Sequence, residues 1–204
     1  MFVREGKVKV NGRVVREPAY QVDPKDKVEI IGETSPKTTI AFYKPRGISS
    51  SKVASEGKNI FDLLPQYKNL NAIGRLDKES EGLILLSDDG VLTNIITGKD
   101  HKIEKEYIVD VREKVIPSKI KALSDVMILE DGPTLKSKTE ALGKNTFSII
   151  LKEGRNHQVR RMSNKVRLTV TKLKRVRIGP VLLGELKSGK YRKLEENELN
   201  KLKK

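Results

Sequence analysis

A short, uninterrupted apolar run, Gly82-Leu83-Ile84-Leu85-Leu86, sets the first limit on the fold of this chain. Such a run predicts a strand that is buried on both faces, because a strand with one wet face would alternate apolar and polar residues. It is far too short to cross a membrane, which takes about 20 apolar residues. We therefore expect a globular domain whose sheet is covered on both faces.

The remaining apolar segments switch irregularly between strand and helix periodicity. Strands are predicted at Thr38–Tyr43, Tyr107–Val111, Thr146–Lys152 and Leu168–Ile178, and helices at Ile60–Leu64, Val91–Ile96, Pro117–Leu123 and His157–Val166. Asp88-Asp89-Gly90 is predicted as a turn or N-cap ahead of the second of these helices. This order predicts an α+β fold with a mixed, mostly antiparallel sheet and flanking helices. The glycine patterns of dinucleotide-binding and P-loop proteins are both missing, which argues against those folds.

The first thirty or so residues have a separate character. The segment 6–15 alternates apolar and basic residues around Asn11-Gly12, a strong signal for a β-hairpin turn, and a further short strand follows in 22–30. The polar run Gly32–Lys37 is typical of a linker. We therefore expect a small N-terminal β-hairpin appendage at residues 1–33 and a larger domain at residues 38–204.

The charge of the chain points to a polyanionic partner. The 204 residues carry a formal net charge of +15, which attracts nucleic acid, anionic membranes or acidic proteins. A membrane-surface protein would need a strongly amphipathic basic helix, and we find none. Nucleic acid is therefore the leading partner, with a generally basic, heat-adapted surface as the alternative. Charged residues begin at Arg4, so we expect no signal peptide and a cytoplasmic location.

The residue inventory limits the chemistry. The chain has no cysteine and only two histidines, so disulfides and thiolate zinc sites are excluded and an imidazole metal site is not expected. Any reaction must rest on carboxylates, lysine, arginine, tyrosine or hydroxyl groups.

A strongly basic segment occupies residues 155–177. It holds nine Lys or Arg residues and no Asp or Glu. A helix followed by a strand, each with a basic exposed face, would suit a surface that follows an RNA backbone. The alternative is an ordinary solvated face, since most runs of charge are of that kind.

A charged loop, Gly74-Arg75-Leu76-Asp77-Lys78-Glu79-Ser80-Glu81-Gly82, leads directly into the buried run. A carboxylate at Asp77 would be rigidly placed there, and the flanking Arg75 and Lys78 would favour its ionised form. By position alone, a capping residue in a surface loop is the more common role for an Asp such as Asp77.

Several motifs, in a fixed order along the chain, resemble those of a known family and favour the catalytic role of Asp77. Gly74-Arg75-Leu76-Asp77, followed by Ser-x-Gly-Leu, resembles the central signature of the RsuA-type ribosomal RNA pseudouridine synthases. Four further blocks match the family in order: Lys44-Pro45-x-Gly47; Glu104-Lys105-Glu106-Tyr107; Glu153 to Met162; and Arg177-Ile178-Gly179-Pro180 with Gly189, Arg192, Leu194 and Glu198. The resemblance covers residues 40–200 and implies the pseudouridine synthase fold, with a catalytic cleft across the sheet.

The resemblance also implies roles for individual residues. Asp77 corresponds to the catalytic carboxylate, which acts at or near the anomeric carbon of the ribose, either by adding to it or by removing a ribose proton. Tyr107 corresponds to the aromatic residue that stacks on the flipped base, although by position alone it could be a core tyrosine of the sheet. Arg160 corresponds to the basic residue that pairs with the catalytic carboxylate.

Three other basic residues are assigned to substrate binding. Arg161 is expected to contact a phosphate. Arg75 corresponds to a residue that helps to extrude the target nucleotide. Lys44 stands in a supporting motif, where we expect a scaffold role rather than chemistry.

The family needs no cofactor and no metal, and its substrate is RNA. The motifs Gly-Arg-Leu-Asp-Lys-x-Ser and Glu-Lys-Glu-Tyr look most like those of enzymes that act on large-subunit ribosomal RNA. Small-subunit rRNA and tRNA are the alternative substrates. The alternative class is a catalytically silent RNA-binding or ribosome-assembly factor. We expect a monomer.

Two features depart from the expected pattern. The N-terminal hairpin resembles the C-terminal part of an S4-type RNA-binding domain without the helices that usually precede it, so we expect a partial S4-like module. After Met162 the chain reads Ser163-Asn164-Lys165-Val166-Arg167, with no glycine where the family helix usually ends.

Overall fold

The computed structural model describes residues 2–32, 37–53, 55, 57–98 and 103–203. The chain divides into two compact units, residues 1–37 and residues 38–204. Most of the predicted linker, residues 33–36, lies outside the described residues.

The first unit is a three-stranded antiparallel sheet. Its strands are β1 (Val8–Val10), β2 (Arg13–Val15) and β3 (Val28–Ile30), in the order β2-β1-β3. Asn11 and Gly12 form the turn between β1 and β2 with φ values of 50° and 81°. Both positions need a positive φ, which these two residue types tolerate, and the predicted hairpin is confirmed.

The second unit is built on a nine-stranded sheet. The strands of this unit are β4 (Thr39–Lys44), β5 (Asn71–Ile73), β6 (Glu81–Ser87), β7 (Lys105–Val111), β8 (Ile128–Leu129), β9 (Gly132–Pro133), β10 (Lys138–Ala141), β11 (Thr146–Leu151), β12 (Val170–Ile178), β13 (Val181–Leu182) and β14 (Tyr191–Lys193). The main order is β10-β11-β7-β12-β6-β4-β14, with β13 on β12 and β5 on β6; β8 and β9 form a separate hairpin. In the nine-stranded sheet the β12–β6 pair is parallel and the other pairs are antiparallel, as predicted.

Helices cover both faces of the large sheet. They are α1 (Ile60–Leu63), α2 (Gly90–Thr97), α3 (Pro117–Ser124), α4 (Gln158–Lys165) and α5 (Glu196–Leu202). Residues of α1, α3 and α4 belong to one buried apolar cluster, and residues of α2 and α5 to a second. Helix α2 begins where the Asp89 side chain accepts hydrogen bonds from the backbone of Val91 and Leu92, an N-cap that the sequence predicted.

Strand β6 joins the two clusters. Leu83, Ile84, Leu85 and Leu86 are all fully buried. Ile84 and Leu86 pack in the first cluster, and Leu83 and Leu85 in the second, because successive side chains of a strand point to opposite faces. The prediction of a strand buried on both faces is confirmed.

Several short elements were not predicted. Strands β5, β8, β9, β13 and β14 span only two or three residues each, too few to show a periodicity. Among the described residues, no helix has both the length and the apolar character that a membrane crossing requires.

Candidate active site

The loop that connects β5 to β6, residues 74–80, is held in place through its backbone. Ser50 Oγ lies 2.9 Å from Leu76 O, to which it donates, and 3.2 Å from Leu76 N, from which it accepts. Further along, Gly47 N donates to Lys78 O at 2.8 Å. These bonds fix the backbone on both sides of Asp77 without using its carboxylate.

A buried arginine supports the same loop from within the sheet. Arg175 of β12 is only 1% exposed, and its guanidinium donates from Nε to Leu83 O at 2.7 Å and from Nη1 to Arg75 O at 3.3 Å. Its Nη2 is buried without a hydrogen-bond partner among the described residues. Gly82 makes this approach possible, since its φ is +107° and a Cβ there would lie 2.3 Å from Arg175 O.

Asp77 lies at a cleft on the second unit. Its side chain is 27% exposed. The cleft is also lined by Arg75, Tyr107, His157 and Gln158. Tyr107, on β7, is 9% exposed, so most of its ring is packed in the core. The structure thus brings three predicted site residues, Arg75, Asp77 and Tyr107, to one cleft.

His157 is a site residue that the sequence reasoning missed. Its Nδ1 lies 3.4 Å from Asp77 Oδ2. It also has a left-handed backbone conformation, φ 48° and ψ 27°, immediately before α4. Non-glycine residues in this region are uncommon and are often found at functional sites. From the sequence, His157 was only one of two histidines, too few for a metal site to be expected, and no catalytic role was predicted for it. Its place inside the motif Glu153 to Met162 was the signal available.

The expected ion pair between Arg160 and Asp77 is not formed. Arg160 Nη2 donates instead to Glu79 O at 3.0 Å and is 3.4 Å from Ser80 Oγ. The guanidinium therefore holds the end of the catalytic loop through its backbone. His157, three residues earlier, is the basic side chain that lies at the carboxylate.

Arg161, which was expected to contact a phosphate, forms an ion pair within the protein in this structure. Arg161 Nη1 and Nη2 each donate to Asp131 at 2.9 Å, a bidentate arrangement. These hydrogen bonds from Arg161 lower the pKa of Asp131 to about 2. Asp131 lies in the turn between β8 and β9, so Arg161 anchors that hairpin to α4.

Lys44 cannot contact a substrate in this structure, which corrects its assignment to substrate binding. The side chain is fully buried, and its Nζ donates to Pro45 O, Ile48 O and Lys78 O at 3.0, 2.6 and 3.4 Å. Lys44 therefore fixes the catalytic loop and the turn at Pro45, as the scaffold role implied.

Buried charge in the described residues is entirely cationic. Lys44, Lys105 and Arg175 are buried, whereas no described Asp or Glu is. All three donate to backbone carbonyls. Desolvation lowers the pKa of Lys44 and that of Lys105 to about 8 each.

These two lysines predict a pH-dependent stability. Between pH 8 and 10 the folded protein releases their protons while the unfolded chain, with a lysine pKa near 10.5, still holds them. We therefore expect the free energy of unfolding to rise over this range, by roughly 2 kcal/mol per lysine. Urea unfolding at pH 8, 9 and 10 measures this free energy. Lys105→Met should remove about half of the rise, and an unchanged or falling stability in the wild type would contradict the prediction.

The described residues contain no group of three or more His, Asp or Glu side chains that could hold a metal ion. The groups available at the cleft are two carboxylates, a phenol, an imidazole and two guanidinium ions. Such a set can orient and polarise an anionic substrate and can accept or transfer a proton.

Comparison with known proteins agrees with this fold. Residues 38–165 match the family model described as RNA pseudouridylate synthase, and residues 1–28 match the S4 domain. A crystal structure of a pseudouridylate synthase aligns with a TM-score of 0.79 at 31% identity, covering 98% of this chain and 90% of that chain.

Curated relatives align with almost the whole of this chain at 32–37% identity. An uncharacterized RNA pseudouridine synthase of Aquifex aeolicus is 37% identical, over 99% of this chain and 88% of the relative. The ribosomal large subunit pseudouridine synthase B of Bacillus subtilis is 36% identical, over 98% and 87%. The ribosomal small subunit pseudouridine synthase A of Haemophilus influenzae is 32% identical, over 98% and 90%.

The fold, the loop with its carboxylate and these matches define an enzyme that isomerises uridine in RNA. The chain belongs to the RNA pseudouridine synthase family, in the RsuA-type group that also carries an S4 domain. The resemblance predicted from the five ordered motifs is confirmed.

Proposed function

We propose that this protein converts a uridine of large-subunit ribosomal RNA to pseudouridine, with Asp77 as the catalytic carboxylate. One observation carries the proposal: Asp77 and Tyr107 line the same cleft, and the loop that carries Asp77 is held by backbone hydrogen bonds on both sides of it. A rigidly positioned carboxylate beside an aromatic surface is what a reaction on an extruded nucleotide requires.

The reaction exchanges one bond to the ribose for another. The bond from uracil N1 to the anomeric carbon breaks, a bond from C5 to that carbon forms, C5 loses its proton, and N1 gains one. Atoms and electrons balance without an external donor. Asp77 can promote this exchange by adding to the anomeric carbon or by removing a ribose proton, and both routes need the carboxylate close to the sugar.

The neighbouring residues stack on the base, displace the nucleotide and position the catalytic loop. Tyr107 offers its ring to the flipped uracil, and Arg75, which is exposed at the mouth of the cleft, helps to displace the nucleotide from its stack. Arg160 acts on the catalytic loop through Glu79 O and so positions Asp77 rather than pairing with it.

The choice of large-subunit RNA rests on the relatives. The Bacillus subtilis protein named for the large subunit is 36% identical, and the Haemophilus influenzae protein named for the small subunit is 32% identical. The test is to incubate the purified protein with unmodified transcripts of each ribosomal RNA and of tRNA, and to map pseudouridine in each. We expect modification in the large-subunit transcript alone; modification of only another RNA would overturn this substrate.

The stacking role of Tyr107 gives a separate prediction. Tyr107→Leu should lower kcat/KM by about 5- to 150-fold, because base stacking on an aromatic ring contributes about 1–3 kcal/mol. Tyr107→Phe keeps the ring and should retain most of the activity. Steady-state kinetics on the same RNA measures both variants. If the Phe variant were as impaired as the Leu variant, the hydroxyl rather than the ring would be the important group.

A further inference from the structure

The basic segment 155–177 is mostly engaged within the protein. Seven of its nine cations have partners in the structure: Arg155, Arg160, Arg161, Lys172, Lys174, Arg175 and Arg177. Two side chains remain, those of Lys165 and Arg167, which are exposed and make no hydrogen bond or ion pair with the described residues. The segment is therefore not a continuous phosphate-binding face. Lys165 and Arg167 are its two side chains that remain available to bind phosphate.

Lys165 and Arg167 lie together in a shallow groove between α3 and α4. The groove is lined by Ser118 and Lys119 of α3 and by Lys165, Val166 and Arg167, with Ala122 completing it. Its lining includes three cations and no carboxylate, so all the charged side chains around it are positive.

The backbone at the groove is fixed. Arg167 has a left-handed conformation with φ 56°, and its N donates to Asn164 O at 2.9 Å. Lys119 Nζ donates to Arg167 O at 2.9 Å, which leaves two of its three ammonium protons for another acceptor. The charges are thus placed by the fold around an open surface.

Helix α4 connects this groove with the catalytic cleft. Gln158, at its first turn, lines the cleft, and Lys165, at its last, lines the groove. The rise between them is about 10 Å, at 1.5 Å per residue. One RNA molecule held at the cleft could reach the groove within less than one turn of a duplex, which is about 34 Å.

We propose that the α3–α4 groove, formed by Lys119, Lys165 and Arg167, binds backbone phosphates of the RNA that occupies the catalytic cleft. The inference rests on the proposed function in taking RNA as the substrate, but it does not depend on Asp77. Phosphate contacts of this kind set position and affinity without reading sequence.

The test is the salt dependence of RNA binding by the double variant K165A/R167A. A short oligouridylate serves as the binding probe, and affinity is measured across a series of salt concentrations. The slope of log affinity against log salt falls by about 1.4 when two phosphate contacts on a single strand are lost, at about 0.7 per contact. KM for the unmodified ribosomal transcript should rise by a larger factor than kcat falls.

The matched control is K138A/K144A. Lys138 and Lys144 are exposed at the β10 edge of the sheet and its following turn, and make no ion pair with the described residues. This variant loses the same net charge, so a general electrostatic effect would change its slope equally. Thermal unfolding of both variants establishes that they are folded.

Three outcomes distinguish the possibilities. A slope that falls for K165A/R167A but not for the control supports the groove. Equal slopes in the two variants overturn the groove proposal. So does a K165A/R167A variant that keeps its binding to RNA and loses only binding to phosphatidylserine vesicles, which are measured in parallel. In both cases the proposed RNA enzyme stands. If the wild-type protein binds oligouridylate with no salt dependence, the proposed RNA surface itself is wrong.

Discussion

Asp77→Asn is expected to abolish pseudouridine formation, with a loss of at least about 1,000-fold, while RNA affinity changes little. The substitution removes the negative charge that either catalytic route requires, and general acid–base or nucleophilic roles of this kind contribute about 100- to 10,000-fold. The shape of the side chain is kept. The bonds that hold the loop use Leu76 and Lys78 backbone atoms, so the loop should stay in place.

Release of tritium from RNA labelled at uridine C5 measures the reaction directly, since C5 loses its hydrogen when the new bond forms. The matched control is Glu79→Gln, which removes a carboxylate two residues further along the same loop. Glu79 is exposed and pairs with Arg46 at 3.0 Å, so its loss should leave activity close to that of the wild type. Full activity in Asp77→Asn would remove Asp77 from the mechanism.

The second large effect is expected at Arg175. Arg175→Met removes the hydrogen bond to Arg75 O, two residues before Asp77, and should lower kcat by about 100-fold, the usual consequence of displacing a catalytic group by about 1 Å. RNA affinity should be nearly unchanged, because a side chain that is 1% exposed cannot touch the RNA. Arg175→Lys can restore one of the two bonds and should have intermediate kcat.

Lys105→Met separates this positioning effect from a general loss of stability. Lys105 is also a buried cation that donates to two carbonyls, at Ile96 and Ile103, but these lie outside the catalytic loop. We expect similar thermal midpoints for the two Met variants and a loss of kcat in Arg175→Met alone. Equal activity in both would show that Arg175 serves only the fold. If Arg175→Met does not fold, the kcat of Arg175→Lys against that of Lys105→Met decides the same question.

An unpaired guanidinium nitrogen at this depth supports such a role. Arg175 Nη2 has no partner among the described residues, and burial of a charge without a counter-ion is costly. An apolar side chain of similar size would avoid that cost, so the presence of an arginine is best explained by the carbonyls that it holds.

The parts of the fold that the sequence predicted are those set by local rules. The buried run of β6, the Asn11-Gly12 hairpin and the Asp89 cap each follow from a periodicity or from a residue type at one position. Asp77 was different. By position it was no more than a carboxylate in a loop, and only the ordered motifs around it pointed to catalysis.

Long-range partners could not be predicted from the sequence. Nothing in it showed that Asp131, in a two-residue hairpin turn, would reach Arg161. Arg175 looked like one of the exposed basic residues of β12. It is buried because it lies two residues after Leu173 and so on the same face of the strand, where it pairs in register with Tyr107.

The most direct test of the central claim is a map of pseudouridine in ribosomal RNA from cells with and without this protein. We predict that deletion removes a pseudouridine from large-subunit RNA, and that the wild-type chain restores it whereas Asp77→Asn does not. An unchanged map after deletion, or restoration by Asp77→Asn, would contradict the account.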